Sequence, residues 1–198
     1  MSSDSDLDTI SRLIRNRRTI KPANMDAEKP VPTELLETVL ENATWAPTHG
    51  MTEPWFFHVY QGDSRQQLAD KLQALYRKLI PAENFREDKL TKLGKNPLLA
   101  PLVLSIWMKR QPIEKIPEVE EVEAVACAVQ NLHLSASAAG LGGFWSSPPF
   151  LDSPEASDEF GMGEKDRCLA LFYLGWPQEG LSWPSSCRQP VATKVQHI

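Results

Sequence analysis

The fold of this chain is decided by residues 120–149, which read EEVEAVACAVQNLHLSASAAGLGGFWSSPP. Three glutamates open the stretch, and negative charge is favoured at a helix N-terminus. Apolar residues then recur at steps of three and four on two adjoining faces of Ala124–Ala139. This pattern predicts a helix that is buried on most sides, with side chains small enough for other backbones to approach. Gly140 is the predicted stop, because glycine enters the left-handed conformation without a Cβ penalty.

The segment after this helix combines bare backbone with a tryptophan and two hydroxyls. It contains Gly142, Gly143, Trp145, Ser146 and Ser147. Such a segment suits a flat ligand, because glycines allow close approach and their N–H groups remain available as donors. A core helix that ends in a tight turn explains the same residues without a ligand, and the pattern alone leaves both interpretations open.

Composition narrows the classes of function. The 198 residues are expected to form one domain, residues 1–198, with a net charge of −5 that argues against a general nucleic-acid surface. No apolar run approaches the roughly 18 residues that a membrane span needs, and the N-terminus lacks signal-peptide features. Three cysteines without a CxxC pair favour a reducing cytoplasm, with Cys127 and Cys168 buried. The histidine spacing predicts no metal site.

Basic residues are concentrated after the first predicted helix. Residues 15–22 read RNRRTIKP, which places four cations and a hydroxyl within a few positions of an acidic protein. Basic side chains are favourable at a helix C-terminus, where water would solvate them. The same group also describes a pocket for a phosphate. Both interpretations stay open at this level.

Helices and strands alternate irregularly along the chain, which favours an α+β fold over a repeating βαβ array. Residues 81–96 are expected to form a surface excursion or lid, and residues 177–198 an extended C-terminal arm. Caps are predicted at Asp6 or Asp8, Thr33, Asp63 and Ser153. The predicted helices span about 6–16, 33–45, 63–79, 120–139 and 153–160, and the predicted strands span 56–60, 101–108 and 168–175.

Four segments, in order and spacing, resemble the FMN-dependent nitroreductases, specifically the small one-domain type related to the bacterial YdjA protein. The similarity spans nearly the whole chain. The segments are Arg17-Arg18-Thr19, Ala46-Pro47-Thr48-His49 with Pro54-Trp55, Gly140-Leu141-Gly142-Gly143-Phe144-Trp145, and Leu171-Phe172-Tyr173-Leu174-Gly175-Trp176-Pro177.

The resemblance implies a nitroreductase-like α+β fold, a mainly antiparallel sheet flanked by helices, in a homodimer with FMN between the subunits. It also implies an NAD(P)H-dependent oxidoreductase. NADH or NADPH would deliver hydride to flavin N5, and a nitroaromatic, quinone or enone would accept it in a ping-pong cycle. Because the flavin carries the chemistry, no protein group is expected to be catalytic, although Lys21 is a candidate for tuning the reduced flavin. The implied cofactor-binding residues are Arg17, Arg18, Thr19, Lys21, His49, Gly142, Gly143, Trp145, Ser146, Ser147 and Arg188.

The chain also departs from the family pattern. Relatives often carry Arg where this chain has Ser146, an Arg where it has Trp45, and Asn and Gln where it has Met51 and Glu53. Lys21 or Arg188 is hypothesised to replace the lost cation. Two alternatives therefore stand beside the main reading: another reduction on the same scaffold, such as dehalogenation or flavin degradation, and a flavin-binding or storage protein with little turnover.

Overall fold

The computed structural model describes residues 5–198 and interleaves helices with one sheet. The strands are β1 (Trp55–Gln61), β2 (Leu102–Met108), β3 (Gly142–Ser146) and β4 (Arg167–Gly175). The α-helices are α1 (Asp6–Asn16), α2 (Thr33–Thr44), α3 (Ser64–Leu79), α4 (Glu87–Lys95), α5 (Glu118–Ala138) and α6 (Pro154–Glu159).

The sheet has the strand order β1-β2-β4-β3, and every neighbouring pair is antiparallel. Strand β2 is buried along its whole length, as its continuous apolar run requires. Alternate residues feed two cores: Val103 and Trp107 face α3 and α6, while Leu104 and Ile106 face α2 and α5. The predicted fold, an antiparallel sheet flanked by helices, is confirmed.

Helix α5 ends as the sequence predicts. Gly140 has a φ of 83°, the N–H of Leu141 donates to the carbonyl of Ala136, and the N–H of Gly140 donates to that of Ser137. This pair of bonds is a Schellman motif, which satisfies carbonyls that the helix leaves open.

The expectation that α5 is buried on most sides is wrong for one face of the protomer. Ala126 and Cys127 are exposed, so the Cys127 thiol is not the buried group that was predicted. Cys168 is buried as expected. Helix α5 packs on α2, α1 and the sheet, and among the described residues the face with Ala126 and Cys127 is left exposed.

One element near the candidate site differs from the sequence-based expectation. Residues 142–146 form strand β3 rather than a loop or turn, and Gly143 pairs with Leu174. A Cβ on Gly142 would lie 2.6 Å from Ile20 Cβ, and a Cβ on Gly143 would lie 2.6 Å from Phe172 Cζ. Close packing of the protein on itself therefore accounts for both glycines.

Several helix caps also differ. The cap of α1 is Ser5, whose hydroxyl accepts from the N–H of Asp8 at 3.1 Å, and not Asp6 or Asp8. Thr33 is the first residue of α2 rather than its cap, and Asp63 makes no capping bond. Ser153 caps α6 as predicted.

The two peripheral segments take different forms. Residues 81–96 contain a short 3-10 turn and α4, which packs on α3 through buried Leu90. Residues 182–198 of the C-terminal arm are exposed. The start of the arm is fixed to the domain by Gln178, whose side-chain amide donates to the carbonyls of Ala23 and Met25. In the described part of the chain, each helix is too short or too polar to cross a bilayer.

Candidate functional site

The basic segment after α1 lies directly against β3. Arg17 ends α1 as its C-cap, and the chain then runs extended. Thr19 forms a parallel bridge with Gly143, and the N–H of Ile20 donates to the carbonyl of Gly143 at 3.0 Å. The small Gly142–Gly143 surface permits this approach. Two segments far apart in sequence are therefore neighbours.

Arg17 lies against the imidazole of His133 on α5. Its Nη1 atom is 3.4 Å from Nδ1 and 3.5 Å from Nε2. His133 Nε2 lies 3.3 Å from the carbonyl of Arg18, which assigns the ring proton to Nε2 and leaves Nδ1 facing Arg17 as an acceptor. Burial and the charge of Arg17 lower the pKa of His133 to about 4. The imidazole is therefore neutral at physiological pH and adds no charge.

Two further arginines complete a cationic cluster, defined here as Arg17, Arg18 and Arg188. Arg18 donates to the carbonyls of Pro184, at 2.7 Å, and Arg15, at 2.5 Å. Arg188 donates to its neighbours in the arm, the hydroxyl of residue 186 and the carbonyl of residue 187. All of these partners are neutral.

The cationic cluster carries uncompensated charge. Burial, followed by the charges of Arg188 and Arg18, lowers the pKa of Arg17. Across residues 5–198, none of the three guanidinium groups forms an ion pair. Like charges held together are unfavourable unless an anion offsets them, and guanidinium groups match the geometry of phosphate oxygens. The donor set therefore fits the phosphate of a nucleotide such as FMN.

The far end of β3 presents the aromatic and hydroxyl groups. Trp145 is 37% exposed, and its indole N–H donates to the hydroxyl of Ser147 at 2.5 Å. Ser146 and Ser147 line a cavity of about 410 Å³. Lys21 is exposed two residues beyond Thr19. Strand β3 therefore runs from the cationic cluster, beside Gly143, to the exposed Trp145 and the cavity.

His49 lies apart from this group in the protomer. Its Nδ1 atom is 2.5 Å from a carboxylate oxygen of Glu120 at the start of α5. Glu120 and His133 are thirteen residues apart on that helix, which is about 20 Å at 1.5 Å per residue. The loop that carries His49 has left-handed backbone at Met51 (φ 55°) and Glu53 (φ 45°), which is strained for residues with side chains.

His133, the partner of Arg17, is not among the site residues that the sequence predicts. The available signal was an imidazole in a helix whose other buried positions are mostly Ala, Val and Leu, since a buried polar group needs a hydrogen-bond partner.

Both the family model and a curated relative identify the same family. The family model described as "Nitroreductase family" matches residues 14–176. "Putative NAD(P)H nitroreductase YdjA" of Escherichia coli (strain K12) is 32% identical over 174 residues, which are 87% of this chain and 90% of that protein.

Two solved structures share the fold. The nitroreductase-like family protein from Bacillus cereus has a TM-score of 0.78 and 26% identity, covering 100% of this chain and 98% of that one. A nitroreductase with bound FMN from Bacteroides fragilis has a TM-score of 0.72 and 19% identity, covering 96% and 98% of the two chains.

Proposed function

Because this chain belongs to the nitroreductase family, we propose that it is an NAD(P)H-dependent FMN oxidoreductase. The observation that carries the proposal is the cationic cluster, which lies beside Gly143 of β3 without an acidic partner in the described chain. A relative's name includes NAD(P)H, and the solved nitroreductase from Bacteroides fragilis contains FMN.

The cationic cluster would hold the FMN phosphate through charge-assisted hydrogen bonds. The Thr19 hydroxyl would add a further polar contact beside it. The backbone of β3 would orient the flavin ring, with Trp145, Ser146 and Ser147 along its edge. Lys21 would place a positive charge near the pyrimidine edge, where reduced flavin carries negative charge. None of these residues is asked to form a bond with the substrate.

When bound, FMN would supply the redox chemistry, a ping-pong hydride transfer through flavin N5 from NADH or NADPH to a nitroaromatic, quinone or enone. The protein's part is to bind, to orient and to set the local charge. His133 would position Arg17 by accepting a hydrogen bond from its guanidinium group, and because the imidazole is neutral it would not compete for the phosphate.

We further propose a homodimer with FMN at its interface. The apolar stripe of α1 is exposed in the protomer, with Leu7 72%, Ile10 45% and Ile14 51% accessible. Ile10 and Leu134 also line an open groove of about 540 Å³ between α1, α2 and α5. A second copy would cover these apolar surfaces and would bring its own His49 loop toward the cationic cluster, which the protomer's own His49 does not reach.

Anaerobic titration tests the proposed function. Purified protein should bind FMN and show its yellow absorbance, NADH or NADPH should bleach it, and an added quinone or nitroaromatic should restore the colour. Protein that binds FMN but stays oxidised under both nucleotides would contradict the oxidoreductase proposal and favour a flavin-binding or storage protein. Protein that takes up no FMN would contradict both.

A further inference from the structure

A second feature lies beyond the cationic cluster: the cavity of about 410 Å³ between the α3–α4 segment and the end of β3. Its volume falls in the range of small-molecule sites. Tyr76, Phe150, Tyr173 and Leu93 supply aromatic and apolar surface. This composition suits a planar ring of the size of a substituted benzene.

The polar side of the cavity is positively charged. Lys89 and Lys92 of α4 line it, and the lining residues include no Asp or Glu among those that the structure describes. Lys92 approaches Asp88 at 3.6 Å, but Asp88 is already held by two bonds from Arg86, at 2.9 and 2.8 Å. Lys89 forms no ion pair within residues 5–198. Two ammonium groups therefore face a cavity that offers them no acidic partner.

A buried hydroxyl also lacks a partner at this cavity. Tyr173 is 2% exposed, and its hydroxyl makes no hydrogen bond to any described residue. The Tyr173 hydroxyl is not fully enclosed, because within residues 5–198 the one fully enclosed side-chain polar atom without a partner is Glu121 Oε1. Tyr173 lines this cavity, so we take its hydroxyl to be accessible from there. Burial raises the pKa of Tyr173, which keeps the hydroxyl protonated and able to donate.

The cavity shares two lining residues with the proposed flavin site. Ser146 and Ser147 line it; Ser146 is the last residue of β3, and Gly143 near the start of that strand pairs with Thr19 beside the cationic cluster. Gly143 and Ser146 are three residues apart on β3, which is about 10 Å at about 3.3 Å per residue. A ring in this cavity would therefore lie at the opposite end of β3 from the phosphate-binding arginines.

We infer that this cavity binds the electron acceptor and selects aromatic acceptors that carry a carboxylate. The ring would pack against Tyr76 and Phe150, the carboxylate would meet Lys89 and Lys92, and the Tyr173 hydroxyl would donate to a polar substituent. The assignment rests on the proposed function, because it names the acceptor of that same flavin site.

The test compares 4-nitrobenzoate with its uncharged methyl ester as acceptors for the FMN-loaded protein. We expect wild-type kcat/KM to favour the carboxylate, and this preference to shrink as salt screens the lysines. The double variant Lys89→Gln/Lys92→Gln should lower the preference about tenfold, or about 1.4 kcal/mol, and leave the ester unaffected. Lys95→Gln, on the same helix but outside the cavity lining, is the matched control and should preserve the preference.

A carboxylate-to-ester ratio of kcat/KM that is the same in wild type and in the double variant would overturn the inference. An equal loss with both acceptors in the double variant would also overturn it, because the lysines would then act on the flavin. Calorimetry with benzoate, which is not reduced, gives a second readout: wild type should bind it and the double variant should bind it about tenfold more weakly. Failure of the proposed function is distinguishable, since it appears as absent FMN uptake or absent NAD(P)H oxidation, whereas benzoate binding still reports on the cavity.

Discussion

Replacing Arg17 with Gln is expected to weaken FMN binding while sparing riboflavin, which lacks the phosphate. Hydrogen bonds to charged groups contribute about 1.5–3 kcal/mol, so the loss of Arg17 should raise the FMN dissociation constant about 10- to 150-fold. Arg18 and Arg188 remain in the variant and keep part of the attraction. Titration by quenching of flavin fluorescence, with FMN and riboflavin in parallel, measures both constants.

The Arg17→Gln variant should lose FMN affinity but should not lose stability in the absence of ligand. Because burial and the charges of Arg188 and Arg18 act against charged Arg17, the unliganded variant should unfold at the same temperature as wild type or higher. Arg77→Gln, which removes an equal charge from the exposed face of α3, controls for net charge. An unchanged FMN constant, or an equal loss of riboflavin affinity, would refute the assignment of Arg17 to the phosphate.

Three further predictions concern buried groups at and near the site. His133 should contribute about 3 kcal/mol of unfolding free energy near pH 7, because its pKa is lowered to about 4 and the unfolded chain binds the proton first. This contribution should be lost as the pH falls from about 6.5 to about 4. Urea unfolding of His133→Gln should lack this part of the pH dependence, and an unchanged profile would contradict the prediction. Gly143→Ala should destabilise by about 1–3 kcal/mol, since the new Cβ meets Phe172 at 2.6 Å; a fully stable variant in thermal unfolding would be inconsistent with that packing. Arg110→Met should cost about 3–5 kcal/mol because it strands the buried carboxylate of Glu121, which is 1% exposed, and chemical denaturation should show less damage when Glu121→Leu is added.

The sequence predicted those parts of the fold in which local pattern and tertiary environment agree. The continuous apolar run of β2 and the glycine stop of α5 are examples, because each is set by nearby residues. Strand β3 was missed because Gly142 and Gly143 have no side chains to show alternation, so only pairing with β4 defines the strand. The N-cap of α1 was assigned to a neighbouring acid, since Ser5, Asp6 and Asp8 all satisfy the capping preference.

In the candidate site, too, features set by local sequence were predicted and features set by tertiary packing were not. The basic segment and the glycine pair were identified from the sequence and lie together in the structure, but their use by a flavin stays a prediction. The role of Glu121 could not be read from its position: all three early glutamates suit a helix N-terminus, yet Glu121 is buried against Arg110. Which acid turns inward depends on the loop before α5, and local spacing carries no information about that.

The most direct measurement of the central claim is a crystal structure of the protein with FMN. The account predicts the phosphate within about 2.7–2.9 Å of guanidinium nitrogens of Arg17, with the ring running along β3 toward Ser147. A phosphate bound elsewhere, with the cationic cluster facing only solvent, would contradict it.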